Sequence, residues 1–293
     1  MSKYLCIIAA SSVMIILTAC GSKPIPQPAT VTNTRDAMTL GMQAYADNRY
    51  LEARSYFARA LLQYRSVDDR DGQLDALVDL ADSALGQGEY TAARAYLADA
   101  DTALADGGSS ATAPHIALLH AYADMQADDD TQAAARLDKL LGDAGTPADI
   151  QQPALFARTQ VAFDLGAADA GQWLEKLGAA SSSHADTLSA ARYQRLQALA
   201  ALKQGDGQKA ATLYQSALDS YRGSYYRPGI AATLEEWADL SIAQSDWTSA
   251  HDQLHRALDI RLWMYDRMHS VKDLGKLSEV DTKLNDAAAA KQD

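Results

Sequence analysis

Apolar and small residues recur along most of the chain with the three- and four-residue spacing of an amphipathic helix. In the clearest instances a turn of Gly, Asp or Asn and an aromatic residue precede an alanine. A large apolar residue follows that alanine by four positions, and a small or apolar one follows by seven. The leading alanine recurs in steps of 40, 40, 37, 40 and 40 residues, at Ala53, Ala93, Ala133, Ala170, Ala210 and Ala250. This constant step predicts a repeat protein.

A helical stretch precedes each of these instances, so every repeat contains two helices joined by a short turn. One such hairpin cannot bury its apolar face alone, and successive hairpins therefore stack. We predict an all-α solenoid of six helix–turn–helix units over residues 36–268. In the segment 269–293, apolar residues at helical spacing predict a capping helix with a tail, beginning with a capping-box-like pair at Ser270 and Asp273.

The first helices carry small residues where two helices can cross closely, as in Leu40-Gly41, Leu80-Ala81 and Trp237-Ala238. With the alanine pattern, they resemble the tetratricopeptide repeat, although the step exceeds the family's usual length of about 34 residues. Units three and four depart from it, with His120-Ala121 and Ala157-Arg158 where Leu-Gly is typical. The resemblance implies a concave surface lined by first helices and a function in binding proteins.

The N-terminus has the pattern of an export signal. Lys3 precedes an apolar stretch over 4–17, which is too short to span a bilayer comfortably. The segment Leu17-Thr18-Ala19-Cys20 closely resembles a bacterial lipobox, which implies a signal peptide over 1–19 and lipidation of Cys20. The proline-containing stretch 20–35 is interpreted as a flexible tether. The absence of Asp after the cysteine implies the outer membrane with a periplasmic body; a Gram-positive surface lipoprotein is the alternative.

Composition excludes several functions. The 293 residues carry a net charge of −12 and no Lys/Arg-dense segment, which argues against nucleic-acid binding. Both cysteines lie in the first twenty residues, so residues 36–293 contain no disulfide, thiolate zinc site or thiol nucleophile. No phosphate-binding loop, dinucleotide motif or nucleophile elbow is present. We expect neither catalysis nor a cofactor.

One pair of residues could carry chemistry. His251 and His255 stand four apart on one predicted helix, a spacing that can bind zinc, with His269 as the nearest further ligand. The metalloprotease motif needs Glu after the first histidine, and Asp252 stands there instead. Solvated histidines are the favoured interpretation, and a metal-dependent hydrolase is kept as an alternative. The Asp128-Asp129-Asp130 run is interpreted as a solvated turn rather than a calcium loop.

Candidate partner-binding residues come from the predicted concave surface and from the segment 221–229, which is rich in Tyr and Arg. Arg192 and Arg195 could hold a peptide carboxylate or could simply pair with Glu235 and Asp239. The tyrosines of 221–229 could contact a partner or stack on Trp237 and Trp247. The predicted binding residues are Met42, Tyr45, Tyr122, Arg192, Arg195, Lys203, Tyr225 and Arg227.

The predicted function is a lipid-anchored scaffold that faces the periplasm. It would bind protein partners during assembly of an envelope machine, such as a secretion, pilus, outer-membrane or cell-wall complex. Besides the hydrolase, the alternative is an accessory lipoprotein that binds a small ligand for a transporter.

Overall fold

The computed structural model describes residues 29–183 and 186–289. In this part of the chain no helix is long and apolar enough to cross a membrane. The predicted signal peptide and Cys20 lie outside the described residues. The described residues form thirteen α-helices: α1 (Ala29–Ala46), α2 (Tyr50–Ser66), α3 (Arg70–Gly86), α4 (Tyr90–Ala105), α5 (Ala113–Met125), α6 (Asp130–Gly142), α7 (Ala148–Asp164), α8 (Ala170–Ser183), α9 (Thr187–Lys203), α10 (Gly207–Gly223), α11 (Arg227–Ala243), α12 (Trp247–Trp263) and α13 (Arg267–Ala289).

Helices α1 to α12 form six consecutive pairs, and α13 packs on α12 at the end of the array. The prediction of an all-α solenoid with six helix–turn–helix units and a C-terminal helix is therefore confirmed. Units three and four also form helix pairs, in spite of their departures from the repeat pattern. The Asp128-Asp129-Asp130 run forms the turn between α5 and α6, where the Asp129 carboxylate accepts a hydrogen bond from the Gln132 amide.

Small residues let the two helices of each unit approach closely, as the repeat pattern predicts. A Cβ atom added at Gly41 in α1 would lie 2.4 Å from the ring of Phe57 in α2. The leading alanines of units one, two, three, five and six have no exposed surface, and that of unit four, Ala170, is also buried. Close packing of large residues beside these small ones supplies most of the stabilisation in such an array.

The array curves so far that its two ends touch, along a line of contacts that we call the seam. The Asn48 side chain donates to the Tyr225 carbonyl over 177 residues of sequence, and Arg227 donates to the Asp47 carbonyl over 180. Tyr90 and His269 meet over 179 residues. Because these separations correspond to about four and a half 40-residue repeats, one coil of the superhelix stacks on the next in constant register.

Gly88 allows the seam to close at its second contact. Its φ of +68° favours glycine, and an added Cβ would lie 2.5 Å from Asp266 Oδ1. Asn48 and Tyr225, which meet at the first contact, also have positive φ angles of 60° and 53°. Asn tolerates this region better than most residues, whereas Tyr225 is strained.

Two predicted boundaries differ from the structure. Helix α1 begins at Ala29, inside the stretch 20–35 interpreted as a tether, because the prolines end at Pro28 and Thr34 and Ala37 are already buried. Helix α13 begins at Arg267 rather than at the Ser270 capping pair. The Asp266 carboxylate accepts a hydrogen bond from the His269 amide and so satisfies its first turn.

Candidate functional site

The first helices of the units, α1, α3, α5, α7, α9 and α11, face one another around the inside of the coil, and we call this the inner surface. Side chains from neighbouring first helices meet across it. The Tyr45 hydroxyl on α1 donates to Asp82 on α3 at 2.8 Å. Arg195 on α9 donates to Gln160 on α7 at 3.1 Å, and its guanidinium lies 3.5 Å from Glu236 on α11.

One sector of the inner surface is acidic. Asp75, Asp79 and Asp82 share one face of α3, at positions four and three residues apart. Asp79 is half-buried and, within the described residues, makes no hydrogen bond or ion pair. Burial, with the charges of Asp82 and Asp75, raises its pKa to about 7. His115 on α5 places its Nε2 4.0 Å from the Asp82 carboxylate.

A second sector of the inner surface carries two arginines among aromatic rings. The Arg192 guanidinium lies 5.6 Å from the ring centre of Phe156 and 5.7 Å from that of Tyr226, a cation–π arrangement on both sides. Within the described residues no carboxylate is at ion-pair distance from it. Arg195 lies 5.1 Å from the same Phe156 ring, but its charge is partly balanced by Glu236. In the described part of the chain, Arg192 is therefore a cation of the inner surface that has no ion-pair partner.

Tyr226 links the two sectors. It follows the seam residue Tyr225, and its ring packs 5.7 Å from that of Tyr221. Burial raises the pKa of Tyr45 and of Tyr122, and the proximity of Tyr226 adds to the increase in both. Tyrosines from units one and three and from the turn before unit six thus share one small volume.

The predicted binding residues divide into three groups. Tyr45, Tyr122, Arg192 and Arg195 lie together on the inner surface, as their positions on first helices predicted. Tyr225 and Arg227 belong to the seam, where the Tyr225 ring is 75% exposed and Arg227 lies 3.9 Å from the centre of the Trp263 ring. The remaining two, Met42 and Lys203, are exposed. Whether any of these residues binds a partner stays a prediction.

The alternative in which these arginines and tyrosines contact other residues of the chain is observed, but with different partners from those predicted. Arg195 pairs with Glu236 instead of Glu235 or Asp239, because Arg261 holds Glu235 at 2.7 Å and Lys276 holds Asp239. The Tyr221 ring packs against Tyr226 rather than against a tryptophan. Trp237 instead stacks on Tyr214, with 6.4 Å between ring centres.

His251 and His255 do not form the core of a metal site. Their rings lie 6.1 Å apart, and each is closest to a carboxylate, Asp281 at 3.3 Å and Asp259 at 3.4 Å respectively. His269 is held by Asp266 and faces Tyr90. In the described part of the chain no group of three His, Cys, Asp or Glu side chains is arranged to hold a metal ion.

The sequence interpretation missed several residues of the inner surface. Asp79, Asp82 and His115 were not proposed, and neither was Phe156, although all lie on first helices. The spacing of the three aspartates on α3 is a signal that could have identified the acidic sector. The position of Phe156 beneath two arginines depends on how α7 and α9 pack, and no local pattern reveals it.

Asp79 should make the stability of the protein depend on pH. Its folded-state pKa of about 7 exceeds the ordinary value, so the folded protein retains a proton that the unfolded chain loses above about pH 4. The stabilisation that this retained proton provides is complete below the pH at which the unfolded chain loses it, and it is lost as the pH rises through 7. At about pH 8, Asp79→Asn should therefore raise the free energy of unfolding by about 1 kcal/mol, and at about pH 4 by almost nothing.

Urea unfolding at both pH values measures this difference. Asp36→Asn, which neutralises an exposed carboxylate on α1, is the control and should change little at either pH. Burial alone would raise the pKa of Asp266, but the hydrogen bond from His269 lowers it below its ordinary value. The resulting loss of stability in acid is the same in the variant and the wild type, so it cancels from the comparison. An equal effect of Asp79→Asn at both pH values would contradict the burial of this carboxyl.

These features define an all-α helical-repeat solenoid that is similar to tetratricopeptide-repeat structures. The family model described as tetratricopeptide repeat matches residues 33–100, which span units one and two. A Rap protein, solved in complex with competence and sporulation factor, is similar in structure with a TM-score of 0.62. It is 14% identical, and the match covers 88% of this chain and 77% of that one. This likeness shows the fold.

Two other solved structures match with lower scores. BtubC (BKLC) from P. vanneervenii has a TM-score of 0.41 at 14% identity, covering 90% of this chain and 88% of its own. The TPR2AB domain of yeast Sti1, in its pHSP90 complex, has a TM-score of 0.34 at 13% identity, covering 86% and 99% respectively. None of the curated proteins compared with this sequence matches it.

Proposed function

We propose that this protein is a scaffold that binds an extended segment of a partner protein along its inner surface. The observation that carries the proposal is that, in the described part of the chain, the inner surface holds an arginine without an anion and a half-buried aspartic acid without a cation. Among the residues that the structure describes, Arg192 lies near the rings of Phe156 and Tyr226 with no carboxylate at ion-pair distance, and Asp79 has no cationic partner. A peptide backbone with acidic and basic side chains would satisfy both groups.

Energetics supports a bound segment of this kind. A half-buried arginine without an anion retains part of its desolvation cost, which a ligand carboxylate would offset through charge-assisted hydrogen bonds. The tyrosines beside it offer contact area with little loss of side-chain entropy. The similarity in fold to a Rap protein solved with a bound factor agrees with the use of such an array as a receptor.

We further propose that the scaffold works in the cell envelope. The lipobox-like sequence before Cys20 motivates a lipid anchor in the outer membrane, with the helical body in the periplasm. A scaffold held there would bring its partner to a secretion, pilus, outer-membrane or cell-wall complex. The hydrolase alternative gains no support from the described residues, in which no group of three His, Cys, Asp or Glu side chains is arranged to hold a metal ion. No feature of the described residues favours the small-ligand alternative.

The test measures binding of a partner captured from envelope extracts to the wild-type protein and to Arg192→Ala. We expect about a tenfold or greater loss of affinity, because the variant removes this cation from the inner surface. Arg222→Ala is the matched control, since this arginine is exposed on α10 and pairs with Asp219. Equal affinity of the wild type and Arg192→Ala would contradict binding along the inner surface.

The location is tested separately with Cys20→Ser. A lipid-anchored protein partitions into detergent with the membranes, and the variant should lose the acyl chains and with them the stable attachment. If the wild type carries no fatty acid at Cys20, the proposed lipid anchor is wrong. The binding experiment still tests the inner surface in that case.

A further inference from the structure

Helix α13 occupies the position of a first helix in a seventh unit, but no second helix of the described chain covers it. A step of 40 residues relates Leu274 to Leu234 and Ser278 to Ala238, and both earlier residues are buried. Leu234 packs between Leu218 on α10 and Ala257 on α12. In α13 the equivalent Leu274 is 52% exposed.

The same comparison holds one turn earlier. Val271 corresponds to Ala231 and Ala191, which have no exposed surface, yet Val271 is 69% exposed. A solvating helix that ends a repeat array carries polar residues on its outer face. In α13, by contrast, the exposed face carries the residues that contact the second helix in the earlier units.

A groove of about 540 Å³ lies where the missing helix would pack. Its walls come from α12, with His251, His255 and Leu258, and from α13, with Leu274, Leu277, Ser278 and Asp281 among its residues. In units two to six the corresponding space is filled by the second helix of the unit, which has 13 to 17 residues. The shape of the groove therefore suits a helix lying along α13.

We propose that α13 of a second copy of this chain fills this groove, so that two copies pair through α12 and α13 as an antiparallel four-helix bundle. The pattern on α13 is complementary to itself in this orientation. With a two-fold axis between positions 274 and 275, Val271 faces Ser278 of the other copy and Leu274 faces Gly275. Large residues thus meet small ones, as in the crossings within the repeats, and an added Cβ at Gly275 would meet nothing within 4 Å.

Charge supports the antiparallel orientation. On the side of α13 that carries Leu274, the first turn has the exposed cation Arg267 and a later turn has the exposed carboxylate of Asp281. Antiparallel pairing places the basic part of each helix beside the acidic part of the other, whereas parallel pairing would place like charges together. A two-fold interface of this kind closes on itself and gives dimers rather than filaments.

Cross-linking tests the geometry. In the full chain with Cys6→Ser and Cys20→Ser, the thiol introduced by Leu274→Cys is the only one present. Because position 274 lies beside the two-fold axis, mild oxidation should join most of the protein into disulfide-linked dimers. Lys283→Cys is the matched control, since nine residues are two and a half helical turns and place it on the opposite face. Equal cross-linking of the two variants would overturn the proposal.

Sedimentation of the full chain in mild detergent tests the association itself. The wild type should sediment as a dimer, and Val271→Glu with Leu274→Glu should shift it to the monomer by weakening association at least tenfold. Both positions are exposed, so the helical circular dichroism should stay unchanged. Leu62→Glu, at a leucine that is 67% exposed on α2, should remain dimeric. A monomeric wild type, or a dimer that survives the double substitution, would overturn the proposal.

Discussion

Arg261→Ala should cost about 3–5 kcal/mol of the free energy of unfolding, because it removes a buried cation from the partly buried carboxylate of Glu235 and from the buried carboxylate of Asp266. The Arg261 side chain is 8% exposed, and its Nε lies 2.7 Å from Glu235 while its Nη1 lies 3.1 Å from Asp266. Burial by itself would raise the pKa of Glu235, but the charge and hydrogen bond of Arg261 lower it instead. Without Arg261 that pKa should rise above its ordinary value.

Chemical denaturation near neutral pH measures the loss. Arg256→Ala is the matched control on the same helix, because Arg256 forms an exposed pair with Asp252 over one helical turn. Such pairs contribute at most about 0.5 kcal/mol. If the two alanine variants lose similar stability, the buried cluster does not have the described geometry. Since Asp266 also lies against Gly88 at the seam, Arg261→Ala should weaken the contact between the two ends of the coil as well.

Tyr214→Ala should cost a similar amount, about 3–5 kcal/mol, for a different physical reason. The Tyr214 side chain is fully buried in unit five and stacks on Trp237, so its removal leaves a cavity between α10 and α11. Urea unfolding followed by circular dichroism measures the loss of stability directly. The Trp237 fluorescence should change with it, because the stacked ring is removed.

Tyr214→Phe separates the ring from its hydroxyl group. Within the described residues the buried hydroxyl has no hydrogen-bond partner, so it costs desolvation without compensation. The phenylalanine variant should therefore be as stable as the wild type or more stable by about 1 kcal/mol. A loss close to that of the alanine variant would show that the hydroxyl does have a partner.

Much of the repeat architecture follows from local pattern. The alanines at 40-residue steps and the small residues of the first helices indicate helix pairs, because the packing of one hairpin is decided by residues close in sequence. The boundary at Ala29 was missed because a helix start after prolines carries no strong signal without a capping residue. The inner-surface residues Tyr45, Tyr122, Arg192 and Arg195 were predicted, since they depend only on which face of a first helix they occupy.

The sequence by itself thus determined the helices, their pairing into six units and the end of the array at a thirteenth helix. Only the tertiary structure decided how strongly the array curves, because curvature is the sum of small rotations at every helix crossing. That sum brings Asn48 to Tyr225 and Gly88 to Asp266, at a separation of about four and a half repeats. It also decided which rings lie near Arg192, since Phe156, Arg192 and Tyr226 come from consecutive units and their contacts depend on how the first helices of those units pack. Within the described residues no carboxylate lies at ion-pair distance from Arg192.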